Sequence, residues 1–249
     1  MKITFMILSL VCTLLWAQDA ETEVHAEWIF ESETGDGFAT SVIVGPDSTI
    51  YIGTYDGYIY ALSPEGKKKW KYTPYSSGID PSRILRPAIG ADGNILITSS
   101  SVLYVLNRKG DIVWDFDTEG SWYTCPALDS RGNVYVGGGR TLFAFTQDGE
   151  IRWKHKAKGN IDAQSITPDD MVYFWSHDGH LNALNTSGDV IWRYETEDSM
   201  EYFPAVGPDK TVYFGAKNGY FYALSREGKL KWKFQTGDEI WSTPSIAED

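Results

Sequence analysis

The stretch ALSREGKLKW, residues 223–232, reads as the end of one β-strand, a turn closed by glycine, and the start of the next strand. The same pattern occurs four more times. ALSPEGKKKW ends at Trp70, VLNRKGDIVW at Trp114, AFTQDGEIRW at Trp153 and ALNTSGDVIW at Trp192. Each copy places a glycine four residues before its tryptophan: Gly66, Gly110, Gly149, Gly188 and Gly228. A small or apolar residue stands nine before it. Trp28 extends the series upstream, and the intervals from Trp28 through Trp232 are 42, 44, 39, 39 and 40 residues. A period near forty residues marks a solenoid or a propeller.

Each unit resolves into four short strands. In unit five these are FPAVG (203–207), TVYFG (211–215), YFYAL (220–224) and LKWKF (230–234). They are rich in Val, Ile, Tyr and Phe, as strands favour. Asn218-Gly219, Asp56-Gly57 and Asp178-Gly179 join second to third strands and predict two-residue type I′ turns. Turns rich in Pro, Asp and Gly join first to second strands. No window of eleven residues has helical periodicity. Both faces of many strands are apolar, which suits a sheet packed between two others. The expected fold is therefore an all-β propeller of four-stranded antiparallel blades. Five complete blades are expected at about 38–74, 84–118, 123–157, 161–197 and 202–236, with a partial sixth at 240–249.

The turn-and-tryptophan pattern resembles the PQQ-like β-propeller repeat family, over about residues 28–249. In that family the turn and its Trp form a docking motif between adjacent blades. The residues carrying the resemblance are Ala61, Gly66 and Trp70; Gly110 and Trp114; Ala144, Gly149 and Trp153; Ala183, Gly188 and Trp192; and Ala223, Gly228 and Trp232. Unit two departs, with Val105 at the Ala position. The Thr-Gly usual in the family is replaced by Glu-Gly, Lys-Gly, Asp-Gly or Ser-Gly, in a loop one residue shorter. Burying a Trp removes ~150–250 Å² from water, worth roughly 4–6 kcal/mol as an upper bound. The six tryptophans, with Trp28 included, are read as structural.

Residues 1–17, MKITFMILSLVCTLLWA, read as a secretory signal: Lys2, then an apolar run shorter than a membrane span, then Ala17 before the cleavage point. An uncleaved anchor is the alternative, and Cys12 sits in a poor lipobox. The mature chain, 18–249, then keeps one thiol, Cys125, so no intramolecular disulfide forms. Cys125 reads as a buried small residue. The expected location is periplasmic or extracellular, with no membrane span after cleavage. A net charge of −12 and a pI near 4.8 argue against nucleic acid as partner.

Signals for chemistry are weak. The family's quinoprotein dehydrogenases imply pyrroloquinoline quinone, calcium, an Asp base and commonly a vicinal Cys pair, and this chain has no Cys-Cys. His177-Asp178-Gly179-His180 offers ligand types for zinc but reads first as a hairpin turn, as does Gly137-Gly138-Gly139. No catalytic, cofactor or metal residue is therefore assigned. The lead-in segments before the first strands carry aromatics at one mouth of the expected channel. Trp122, Tyr123, Tyr202 and Trp241, with Trp175 at the end of a second strand, read first as caps on the core and otherwise as a candidate binding rim, with Asp162 and Glu201 as acidic neighbours. The favoured function is an exported, non-catalytic scaffold binding protein partners in the cell envelope, similar to the family's outer-membrane-assembly propellers. The alternatives are a quinoprotein-type oxidoreductase with its site in the part missing from this sequence, or a glycan- or ligand-sensing module. STPSIAED (242–249) matches the first strand of a further blade, so Asp249 reads as a cut and the ring as incomplete, with the Trp28 strand closing it.

Overall fold

The computed structural model describes residues 28–33, 35, 37–55, 57–74, 87–119, 124–167, 170–200 and 202–246. The leader segment, Trp122, Tyr123 and Glu201 lie outside them. Twenty strands form five four-stranded antiparallel sheets, each in simple chain order. Sheet one holds β1 (Ile43–Val44), β2 (Ile50–Gly53), β3 (Ile59–Leu62) and β4 (Lys68–Tyr72). Sheet two holds β5 (Ala88–Ile89), β6 (Ile95–Ser99), β7 (Val102–Leu106) and β8 (Ile112–Asp117). Sheet three holds β9 (Ala127–Leu128), β10 (Val134–Gly138), β11 (Thr141–Phe145) and β12 (Ile151–Lys156). Sheet four holds β13 (Ile161–Ile166), β14 (Val172–Ser176), β15 (His180–Leu184) and β16 (Val190–Glu195). Sheet five holds β17 (Ala205–Val206), β18 (Val212–Gly215), β19 (Tyr220–Leu224) and β20 (Leu230–Gln235). No described residue is helical, and among the described residues no helix is long and apolar enough to cross a membrane.

The turns follow from backbone hydrogen bonding. At the third-to-fourth turn of sheet one, Ser63 N donates to Lys67 O at 2.8 Å and Gly66 N donates to Ser63 O at 2.9 Å. That brackets a three-residue loop, a type I turn followed by glycine at a φ of 75°. The register slips between Ala61 and Leu62 to accommodate it. The second-to-third turns correct the type I′ expectation. Gly219 N donates to Ala216 O, and Ala216 N donates to Tyr220 O, both at 3.1 Å. Gly219 has a φ of 74° while Asn218 stays out of the positive region, whereas type I′ needs both centres there. The loop is the same three-residue device, and Asn218 serves through its side-chain oxygen, which accepts from Tyr220 N. In the glycine triplet only Gly139 turns, at a φ of 56°, while Gly137 and Gly138 belong to β10.

The sheets stack face to face in sequence order, and each interface has its own apolar cluster. Tyr51, Ile59 and Ala61 meet Ile95, Ile97 and Leu106 between sheets one and two. Leu96 and Leu103 meet Val134, Phe143 and Phe145 between two and three. Tyr135 and Leu142 meet Val172, Phe174 and Leu184 between three and four. Tyr173, Trp175 and Leu181 meet Val212, Phe214 and Tyr222 between four and five. The central strands are buried on both faces, so propeller blades describe this arrangement. Near the inner strands, Gln164 bridges two blades by donating to Cys125 O at 3.0 Å and Tyr135 O at 2.8 Å.

One packing unit recurs inside the blades. Tyr51, Tyr135, Tyr173 and Tyr213 lie directly across the ladder from Ala61, Ala144, Ala183 and Ala223. Each tyrosine ring packs on its own blade's tryptophan at 5.7–6.0 Å. The alanine leaves room for the ring. Blade two breaks both members of the pair, with Leu96 opposite Val105.

Candidate functional site

The tryptophan row is built by one geometry. Each docked indole lies across the glycine turn of the following blade and donates to the carbonyl two residues before that glycine. Trp70 Nε1 donates to Arg108 O at 2.8 Å, and Trp114 to Gln147 O at 3.0 Å. Trp153 donates to Thr186 O at 2.9 Å, and Trp192 to Arg226 O at 2.7 Å. A methyl group built on the glycine would strike the indole, at 2.9 Å for Gly110, 2.7 Å for Gly149, 2.8 Å for Gly188 and 2.5 Å for Gly228. Glycine is needed there both for its positive φ and for this close approach.

Residues 28–33 repeat these contacts without pairing to any described strand. Trp28 Nε1 donates to Pro64 O at 2.9 Å and its ring covers Gly66. Glu33, five residues after Trp28, is paired with Lys71 and Lys68 of β4. Glu197, five residues after Trp192, is paired with Lys233 of β20 at 3.1 Å. Lys71 and Lys233 also sit over Tyr58 and Tyr220 in the same way, each 4.5 Å from the ring centroid. The segment thus occupies the place of a fourth strand of a preceding blade. Hydrogen bonds from Lys68 and then Lys71 pull the Glu33 carboxyl down to about 2 from an ordinary 4.5. A depressed carboxylate stabilises the folded state above its unfolded pKa, and that contribution is lost as pH falls through the folded value. The difference in thermal midpoint between wild type and Glu33→Gln is therefore expected at pH 6 and expected to shrink away between pH 4.5 and 2. A difference independent of pH would refute this pairing.

Trp232 has the sequence context of the other tryptophans but a different environment. It is 44% exposed, flanked on β20 by exposed Leu230 and Phe234. Among the described residues no carbonyl accepts its Nε1; its ring rests on Tyr213 and Phe221 of its own blade.

The candidate rim divides. Tyr202 is 39% and Trp241 52% exposed. Lys217 Nζ lies 4.9 Å from the Trp241 ring centroid, and Lys217 N donates to Ser199 O at 3.0 Å. Beside Ser199 is an open cavity of about 280 Å³, lined by Trp175, His177, Glu195, Glu197 and Asp198 among others. The exposed aromatics and an acidic depression therefore share one region of blades four and five. Trp175 takes the core place of the two expected: it is buried beside Met200 and Ala216, and its Nε1 donates to Thr196 Oγ1 at 3.2 Å. It also lines the cavity. Asp162 lies near His177, at 3.5 Å.

The histidine-containing turn is held by local contacts. Asp178 receives Arg193 at 2.6 Å and Ser176, and His180 Nδ1 contacts Asp178 O at 2.9 Å. Among the described residues no three His, Cys, Asp or Glu side chains gather as a metal site. Cys125 is free of disulfides and half-buried, less enclosed than its apolar context implied.

Comparison with known proteins places this geometry. No curated protein sequence matches the chain. Among solved structures, BamB from Moraxella catarrhalis superposes with a TM-score of 0.68 at 22% identity, covering 82% of this chain. This chain covers 66% of that protein's length, just under two thirds. The selenomethionine-substituted virginiamycin B lyase from Staphylococcus aureus superposes at 0.67 with 13% identity, covering 81% of this chain and 71% of its own. At those identities the likeness shows the propeller fold alone. A sequence profile described as outer membrane protein assembly factor BamB matches residues 98–249, and the chain belongs to that family.

Proposed function

We propose that this protein is an exported scaffold that binds protein partners in the cell envelope, in the service of outer-membrane protein assembly. The observation that carries the reading is family membership across blades two to five. The exposed aromatics Tyr202 and Trp241 beside an acidic depression supply a surface of matching chemistry. Exposed aromatic side chains are the usual anchors of protein interfaces, and acidic surroundings select an apolar or basic counterpart. Residues 1–17 supply the export signal in this reading.

The test is reconstitution with the host's purified outer-membrane assembly machinery. Wild type is expected to bind it. The double variant Tyr202→Ala, Trp241→Ala is expected to bind roughly tenfold or more weakly, since interface hot spots contribute about 2 kcal/mol or more. Its thermal midpoint should stay within a few degrees of wild type, because both residues are exposed and lie outside the buried clusters. Unchanged binding by the double variant would remove this surface from the interface, and no binding by wild type would remove the scaffold reading.

A further inference from the structure

A cavity of about 150 Å³ lies between blades two and three, on the side of the first-to-second turns. Its floor is apolar: Leu96, Val105, Leu128 and Val134. Its rim is polar and exposed, with Asp92 and Gln147 joined at 2.6 Å. Gly90 forms part of its wall.

The repeat explains why space exists there. In blades one and five the residues equivalent to Gly90 are Gly45 and Gly207, and the rings of Tyr51 and Tyr213 lie against them. A methyl group on Gly45 would meet Tyr51 Cε2 at 3.2 Å, and one on Gly207 would meet Tyr213 Cε2 at 3.4 Å. Blade two has Leu96 where those blades have tyrosine, so the ring is missing beside Gly90. Val105 replaces alanine across the ladder and returns only part of the lost volume. Trp114, deprived of its tyrosine, packs instead on Phe145 of blade three at 5.6 Å. What remains is the cavity in front of Gly90, which Asp92 Oδ1 and Leu128 Cδ2 border at 2.4 and 3.6 Å from the place of a Gly90 Cβ.

A tyrosine hydroxyl already meets a turn carboxylate in this molecule, two positions earlier in the turn than Asp92. In blade three, Tyr135 Oη donates to Asp129 Oδ2 at 3.0 Å. In blade two the rim carboxylate is Asp92, whose Oδ2 accepts from Asn94 Nδ2 and Gln147 and whose Oδ1, among the described residues, accepts from Asn94 N alone, so Oδ1 has room for one more donor. An aliphatic cavity of ~150 Å³ takes one benzene-sized ring. We propose that this cavity is a binding site for a single phenolic ring, packed against the half-buried Leu128 over the buried Leu96 and Val105, with its hydroxyl donating to Asp92. The assignment is independent of the scaffold reading.

Two probes distinguish the source of such a ring. p-Cresol represents a free phenol, and acetyl-Gly-Tyr-Gly-amide represents a tyrosyl side chain offered by a polypeptide. Titration followed by methyl NMR should give saturable shifts at Leu96, Val105, Leu128 and Val134. p-Cresol should bind about threefold to tenfold tighter than toluene, the usual worth of one hydrogen bond. Comparable affinity for the peptide identifies a side-chain pocket, and p-cresol alone identifies a small-molecule site. The double variant Leu96→Tyr, Val105→Ala restores the tyrosine–alanine pair of the other four blades. It should fold with a midpoint at or above wild type and lose at least tenfold in affinity for every probe. Absence of saturable shifts at those methyls, or undiminished binding by the double variant, overturns the proposal.

Discussion

Trp192→Ala is expected to lower the free energy of unfolding by about 3–5 kcal/mol, the range for truncating a large buried aromatic. Trp232→Ala is expected to cost under about 1 kcal/mol. The two residues sit at the same place in identical sequence frames, ten residues into ALNTSGDVIW and ALSREGKLKW. Their difference is tertiary. Trp192 is 9% exposed, donates to Arg226 O at 2.7 Å and closes over the turn at Gly228. Trp232 is 44% exposed and keeps only its contacts within blade five. For a chain of this size each kcal/mol shifts the thermal midpoint by roughly 2–4 °C. Trp192→Ala should therefore lower it by about 6–20 °C, and Trp232→Ala by only a few degrees. Equal losses from the two variants would mean that the tryptophan row stabilises each blade from within and does not join it to the next.

That contrast also shows what sequence carries and what it does not. The spacing of Gly and Trp defines the blade, because the turn needs a left-handed residue and the indole needs a surface without a Cβ, and both demands leave a fixed mark on the text. Nothing in the text separates Trp232 from Trp192, since exposure depends on whether another turn arrives to cover the ring. Asn218-Gly219 was misleading for a related reason. A dipeptide preference does not count loop residues, and the hydrogen bonds from Gly219 to Ala216 and from Ala216 to Tyr220 bracket three. Trp175 stands where the other blades have the small residues Gly53, Thr98, Gly137 and Gly215. It sits inside, where Met200, Ala216 and Thr196 close around it. Of the candidate rim, Tyr202 and Trp241 are exposed. The most informative departure, Leu96 with Val105, becomes intelligible only when the ladder shows the two facing each other. Val105 alone reads as an irregular docking turn; as half of a cross-strand pair it reports a missing ring.

Gly228→Ala is expected to cost about 2–4 kcal/mol, and the origin of that cost can be separated into backbone and contact. Gly228 has a φ of 76°, and its new Cβ would lie 2.5 Å from Trp192 Cδ2, in the middle of a fused ring that has no flexible end to move aside. Gly179 supplies the control. Its φ is 81°, and a Cβ there meets nothing within 4 Å. Gly179→Ala therefore reports the left-handed strain alone, about 1–2 kcal/mol. The excess of Gly228→Ala over Gly179→Ala measures the displaced indole. The same quantity follows from a second route. In a Trp192→Ala background the obstructing ring is gone, so Gly228→Ala should cost no more than Gly179→Ala. The double variant should then be more stable than the sum of the single losses by about 1–3 kcal/mol, the range for residues in direct contact. Denaturant titration of the four members of the cycle, with unchanged m-values, provides the measurement. Strict additivity would show that the glycine serves its turn alone, and that the indole adapts to a methyl group without losing its hold on Arg226 O.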